Sequence, residues 1–325
     1  MKIDLDQQCY NSFDIMTLTA STKHPIKHIW GPHYKQFVEC YKYDPEVKET
    51  VITIHGGGWV NHRRHPNDFV PLVEKVDFKA NYFSVDYRTS ASILSDYGRP
   101  DSLETYIKAP FHLIDVLKGI QFIFNNYKVS KLHLAGHSVG AALVFQILDF
   151  IPIVTHGLSE LVKHKIITKS IEQENLDFIH DFSKEWYSIK LCNTFHLAGI
   201  YDLPLALKEH EELEKNGDLE WTEGFIYILD SHVSKEHYSE TLQTTSSIIK
   251  EPFQTVKPKG LHVVLHPIND EHIFISQPSS LINWFYKSKL PVDFHLNDYG
   301  LHGGPLNNEK AFEHITKVLK DTENV

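Results

Sequence analysis

Ser138 sits in Gly136-His137-Ser138-Val139-Gly140, the G-x-S-x-G pattern of a nucleophilic serine. The apolar run Lys131 to Ala135 before it predicts a strand, and Ala141 to Leu148 after it predicts a buried helix. A sharp strand-to-helix turn pushes the hydroxyl outward, and glycines flank it because a Cβ would collide there. The helix N-terminus adds a favourable dipole and free N–H groups. A second pattern, His55-Gly56-Gly57-Gly58-Trp59, follows the apolar run Val51 to Ile54. Consecutive glycines let backbone N–H groups converge on one point, which an oxyanion requires. No Lys-Ser/Thr pair follows, so a phosphate-binding P-loop is disfavoured. A serine hydroxyl needs a base, and the base needs an orienting acid. His302, in Asp298-Tyr-Gly-Leu-His302-Gly-Gly, stands just after the last strand expected and is the base of choice, with His272 as rival. Asp270 closes the run that starts at Leu261 and is the acid of choice. Glu271 is adjacent and able to serve, Asp298 is too local to His302, and Asp202 reads as structural.

These residues need elements to carry them. Short runs rich in Val, Ile, Phe and Leu predict strands at Val51–Ile54, Tyr82–Val85, Lys131–Ala135, Thr194–Ala198, Leu261–Leu265 and Val292–Leu296, with an earlier one near Phe37–Tyr43. Between them, Phe111, Ile114, Leu117 and Phe124 mark a helix with Pro110 at its start. Ala311, Phe312, Ile315, Val318 and Leu319 mark another, capped by Asn307 or Asn308. Strand and helix in alternation predict an α/β fold: a mostly parallel sheet with helices on both faces. A glycine loop followed by a serine elbow, then acid, then histidine, is the order of the α/β-hydrolase fold. The polar, mixed stretches at about 151–191 and 203–259 break the alternation and are expected to form a cap inserted into one domain spanning 1–325.

The 325 residues are 42% hydrophobic and 23% charged, which excludes wholesale disorder. A net charge of -10 disfavours nucleic acid as a partner. Cys9, Cys40 and Cys192 make no disulfide framework, Asp4 and Asp6 interrupt any signal-peptide core, and no apolar stretch suits a membrane helix. The expectation is a cytoplasmic protein that needs neither nucleic acid nor membrane. Its partner is a small-molecule substrate, and a homodimer is the one assembly entertained. No His-Glu-x-x-His occurs, and the pairs His62/His65 and His232/His237 lack matching ligands, so neither metal nor other cofactor is expected.

With these motifs together, the chain resembles the α/β-hydrolase-type kynurenine formamidases, most closely those of fungi. The resemblance runs from about Lys35 to the end. It rests on Ile52-Thr-Ile-His-Gly-Gly-Gly-Trp59, His65-Pro-Asn-Asp-Phe69, Val85-Asp-Tyr-Arg88, the serine elbow, Ala198-Gly-Ile-Tyr-Asp-Leu203 and Asn297-Asp-Tyr-Gly-Leu-His302. The glycine loop and elbow alone are shared with esterases resembling hormone-sensitive lipase. The chain departs from the pattern at Thr89-Ser90-Ala91, where Leu-x-Pro is usual, and in the length of its two insertions. The resemblance implies Ser138 as nucleophile, Asp270 as acid, His302 as base, and the N–H groups of Gly57, Gly58 and Val139 as oxyanion hole. It implies hydrolysis of N-formyl-L-kynurenine to kynurenine and formate, in tryptophan breakdown towards NAD. Trp59 is expected to pack either on the substrate ring or in the core. The alternatives are a general carboxylesterase or deacetylase on the same scaffold, and a catalytically dead receptor.

Overall fold

The apolar runs become eight strands: β1 (Ile26–Ile29), β2 (Phe37–Lys42), β3 (Glu49–Ile54), β4 (Asn81–Val85), β5 (Lys131–His137), β6 (Lys190–Leu197), β7 (His262–Pro267) and β8 (Val292–Asn297). They pair into one sheet in the order β1-β2-β4-β3-β5-β6-β7-β8. The pairs β1/β2 and β2/β4 are antiparallel, and every pair from β4/β3 to β7/β8 is parallel. This is a computed structural model, and it describes residues 23–90, 107–217, 219–233 and 260–323. Cys9, Ala91, His237 and the second insertion beyond residue 233 lie outside the described residues.

Successive strand residues point to opposite faces, and the core divides accordingly. Leu132, Leu134 and Val264 pack on one face beneath α2 (Phe111–Asn126) and α3 (Val139–Ile147). Ala135, Val263 and Leu265 pack on the other, against α1 (Val70–Lys75) and α9 (Glu309–Glu323). Asn308 caps α9, its Oδ1 accepting from the Lys310 N–H at 2.9 Å. Helix α8 (Ser276–Lys287) contributes Leu281 and Phe285 to the α2/α3 side.

Several of the 22 histidines are core residues. His196 and His262 meet Thr194 Oγ1 at 2.9 and 2.7 Å. Burial lowers the pKa of each to about 3, so both stay neutral. His262 also stacks on Phe285.

The stretch 151–191 corrects the expectation of a cap. It forms α4 (Phe150–Lys163) and α5 (Lys169–Trp186). Their apolar faces (Phe150, Ile153, Val154, Leu158, Ile179, Phe182 and Trp186) belong to the core beside α2. The second insertion begins with α6 (Leu203–Lys215) and α7 (Leu219–Val233). These pack on a separate apolar cluster with Trp59, Ile200 and Ile273. Among the described residues, no single helix is long and apolar enough to cross a membrane. Helices α3 and α4 reach that measure only as a pair, bent by 110°.

Helix α3 leaves β5 so close to β3 that a Cβ on Gly140 would collide with the Ile54 carbonyl oxygen, and one on Gly136 with that of Gly140. Backbone cannot move aside as a side chain does. Gly140→Ala is therefore expected to destabilise the protein by at least ~1–3 kcal/mol, read as a lower urea midpoint.

Candidate active site

The parallel strands bring their C-terminal ends to one edge, and every loop singled out in the sequence emerges there. Ser138 follows β5 directly, at φ 56° and ψ -124°. A non-glycine residue holds such a conformation only when its surroundings enforce it. Here the Ser138 N–H is bonded to the Leu197 carbonyl at 2.9 Å, and the residue passes at once into α3. The glycine loop follows β3. Gly57, Gly58 and Trp59 all have positive φ (111°, 60° and 60°), which turns the chain back on itself. Among the described residues, no acceptor takes the N–H of Gly57, Gly58 or Val139. These three groups and Ser138 belong to residues that line one cavity of about 230 Å³.

His302 lines the same cavity. Its Nδ1–H donates to Asp270, at 2.9 Å from Oδ2 and 3.1 Å from Oδ1. Asp270 is buried, its side chain 1% exposed. Burial alone would raise its carboxyl pKa. The hydrogen bond and charge of His302 and the N–H groups of His272 and Ile273, both at 2.9 Å, outweigh that and lower it. The acid rivals lie elsewhere. Glu271 Oε2 accepts the backbone N–H of His302 at 2.7 Å, so it holds the loop and not the ring. Asp202 caps α6 through the Leu205 N–H. Asp298 is exposed. His272, the rival base, lines the cavity edge-on to His302 at 5.1 Å between ring centroids.

Trp59 is a core aromatic that borders the cavity. It is only 2% exposed and stacks on His232 at 3.8 Å. Of the loose histidine pairs, His62 Nδ1 pairs with Thr89 Oγ1, His65 lies 3.7 Å from Glu39, and His237 lies outside the described residues. Away from the cavity the fold does assemble two groups with ligand atoms close enough for a metal ion, Glu49/His133/Cys192 and Asp293/His295/His314. In the first, both His133 ring nitrogens are already hydrogen-bonded, to Glu49 and Asn193.

A carboxylate-held imidazole, a serine on a strained strand-to-helix turn and N–H groups without acceptors, all on residues lining one cavity, are the kinds of part that acyl transfer needs. No family model matches the chain. Kynurenine formamidase of Scheffersomyces stipitis is 28% identical over 295 residues, covering 89% of this chain and 97% of that one. Those of Meyerozyma guilliermondii and Saccharomyces cerevisiae are 25% and 24% identical, covering 89% and 83% of this chain and 92% and 88% of theirs. The chain is a hydrolase resembling kynurenine formamidase. Its fold is that of the α/β-hydrolases: esterase B of Lactobacillus Rhamnosis superposes with a TM-score of 0.60 at 14% identity, covering 93% of this chain and 85% of that one. A solved arylesterase superposes at 0.57 and 16%, covering 92% and 83%.

Four parts of this formamidase-like site were not read from the sequence. His137, inside the elbow, donates its Nε2–H to the His302 carbonyl at 2.9 Å and so ties the serine turn to the histidine loop. Burial, then the neighbouring His302, lowers its pKa to about 3, which keeps it neutral. His210, Phe225 and Ile228 of α6 and α7 form the outer wall, and Arg64 is the one cationic side chain among the described lining residues. Asp86 anchors the glycine loop. His55 Nε2 lies 2.9 Å from its Oδ1, Lys35 Nζ 3.1 Å, and the Tyr87 N–H 2.8 Å. Burial would raise the Asp86 pKa, and Lys35 and His55 hold it low instead. Asp86→Asn is expected to cost ~3–5 kcal/mol in urea unfolding, because the Lys35 ammonium is left buried without its counter-ion. Adding Lys35→Met should recover part of that loss. A double variant no more stable than the single one would contradict the account.

Proposed function

We propose that the chain hydrolyses N-formyl-L-kynurenine to L-kynurenine and formate, with Ser138 as nucleophile, His302 as base and Asp270 as orienting acid. The observation that carries this reading is the His302–Asp270 pair on the cavity that Ser138 and the glycine loop share. With its Nδ1–H given to Asp270, the imidazole keeps Nε2 as a lone pair for the serine proton. Ser138 attacks the formyl carbon, and the oxyanion that forms is met by the N–H groups of Gly57, Gly58 and Val139. His302 then returns the proton to the departing aniline nitrogen. Water, deprotonated by the same histidine, releases formate from the formyl-serine. Since an aniline leaves more readily than an alkylamine, parts suited to esters suffice for this amide.

The names of the fungal relatives and their coverage of most of the chain support the substrate. In this reading the chain is a single domain in which the segment starting at α6 caps the site, it works without a cofactor in the cytoplasm, and its product feeds tryptophan breakdown towards NAD.

Ser138→Ala should fold normally and lose hydrolysis by ~10³-fold or more. Asp270→Asn should lose up to ~10⁴-fold, while Asp298→Asn and Asp202→Asn keep most activity. Steady-state rates on the purified variants check both, and equal turnover by wild type and Ser138→Ala would end the serine mechanism.

The substrate is tested separately. The kcat/KM for N-formyl-L-kynurenine should exceed that for phenyl acetate by at least ~100-fold, because contacts remote from the formyl carbon can lower the barrier. Esters ranking above the formyl compound would overturn the formamidase reading and leave a carboxylesterase.

A further inference from the structure

The cavity beside Ser138 is lined by apolar side chains (Ile200, Phe225, Ile228, Ile273), imidazoles, Asn61, the glycine loop and one cation, Arg64. Among the described residues, no carboxylate lines it. In a chain of net charge -10, a pocket whose described lining carries one formal charge, and that one positive, is a local inversion of sign.

Arg64 is held as a ligand-binding arginine would be, with a fixed backbone and an available head. Its N–H donates to the Asn61 carbonyl at 3.2 Å. Its own carbonyl accepts from Lys35 Nζ at 2.8 Å, the ammonium that also binds Asp86. The stem lies along the glycine loop: a Cβ on Gly57 would come within 2.7 Å of Arg64 Cγ. The side chain remains 50% exposed, and its charge reaches the elbow, where it helps to keep His137 neutral. Among the described residues, the acceptor for its guanidinium is Asp68 Oδ2, at the long distance of 3.5 Å. A guanidinium carries five donors in a planar fork suited to two carboxylate oxygens at once. One long, solvent-exposed contact leaves most of that capacity unused.

We propose that Arg64 forms a carboxylate-binding subsite, and that the substrates of this site are small aryl amides or esters bearing a carboxylate remote from the scissile bond. The inference rests on the proposed function, in which the substrate carries an amino-acid end. The guanidinium holds that end while the aryl ring lies among Phe225, Ile228 and Ile273 and the formyl group meets Ser138. Arginine, and not lysine, suits the task because the fork fixes direction as well as charge.

The test compares matched substrate pairs that differ in the carboxylate. The first pair is N-formyl-L-kynurenine and 2-formamidoacetophenone, which keeps the formanilide and ketone but lacks the amino-acid end. The second is 3-(3-acetoxyphenyl)propionate and phenyl acetate. For each pair the ratio of kcat/KM, carboxylated over neutral, is measured in wild type, Arg64→Gln and Arg64→Lys. A hydrogen-bonded charge pair predicts that Arg64→Gln lowers this ratio on the order of 10–100-fold, mainly through KM, with partial recovery in Arg64→Lys. A structural role would lower both members of a pair together and leave the ratio intact. If the wild type cleaves the esters but neither formanilide, the formamidase reading fails, and the ester pair alone decides the subsite. Ratios indifferent to Arg64→Gln in every pair that is turned over would overturn the inference.

Discussion

One buried carboxylate holds together segments that are distant in the chain. Asp86, at the end of β4, meets Lys35 from the β1–β2 connection and His55 at the root of the glycine loop. Lys35 carries the tie onward to the Arg64 carbonyl. A charge this deeply buried is tolerable only when its partners are fixed around it, so the requirement works in both directions. The glycines that free the loop to turn inward would also let it wander, and the Asp86 cluster is what confines it. Positive φ at Gly57, Gly58 and Trp59 is the local geometry, and the buried ion pair is its support.

On the opposite side of the cavity the same logic uses weaker bonds. The loop after β7 gives Asp270 to the His302 ring and Glu271 to the His302 backbone. The elbow gives His137 to the His302 carbonyl. Ring, N–H and C=O of one residue are thus each held by a different neighbour. Hydrogen-bonding both ends of the peptide as well as the imidazole leaves the side chain little freedom to rotate away, which is how a side chain on a loop acquires the precision of one on a helix.

Much of this was legible in the sequence, and the exceptions have physical causes. The strands buried on both faces announced themselves as apolar runs, and the elbow and glycine loop were visible because their chemistry is local. Strand β1 was missed because it is a short, half-exposed edge in which Lys27 and His28 break up the apolar residues. The helices of 151–191 looked like a cap because α5 is mostly polar; its buried stripe of Ile179, Phe182 and Trp186, spaced three and four apart, was the signal that it belongs to the core. His137 could not be read because its partner comes 165 residues later. Arg64 had a trace, the basic stretch Asn61-His-Arg-Arg-His65 just after the glycine loop, but only the fold shows which of its members turns towards the cavity.

The apolar cluster beneath α6 and α7 is distinct from the clusters on the two faces of the sheet. Their far end is fastened by Lys108, whose Nζ caps the α7 carbonyls of Asp230 and Ser231, and by the Ala109 N–H on the His232 carbonyl. Elements that share few apolar contacts with the main core open as a unit of their own, at a free energy below that of global unfolding. Opening here would uncover Val139 and Ala142 of α3 and Ile273, which share that cluster, while the clusters on the two faces of the sheet stay covered. In evolutionary terms the outer wall is separable from the sheet: residues such as Phe225 and Ile228 are free to be exchanged, and the range of molecules admitted altered, without renegotiating the fold that holds the serine.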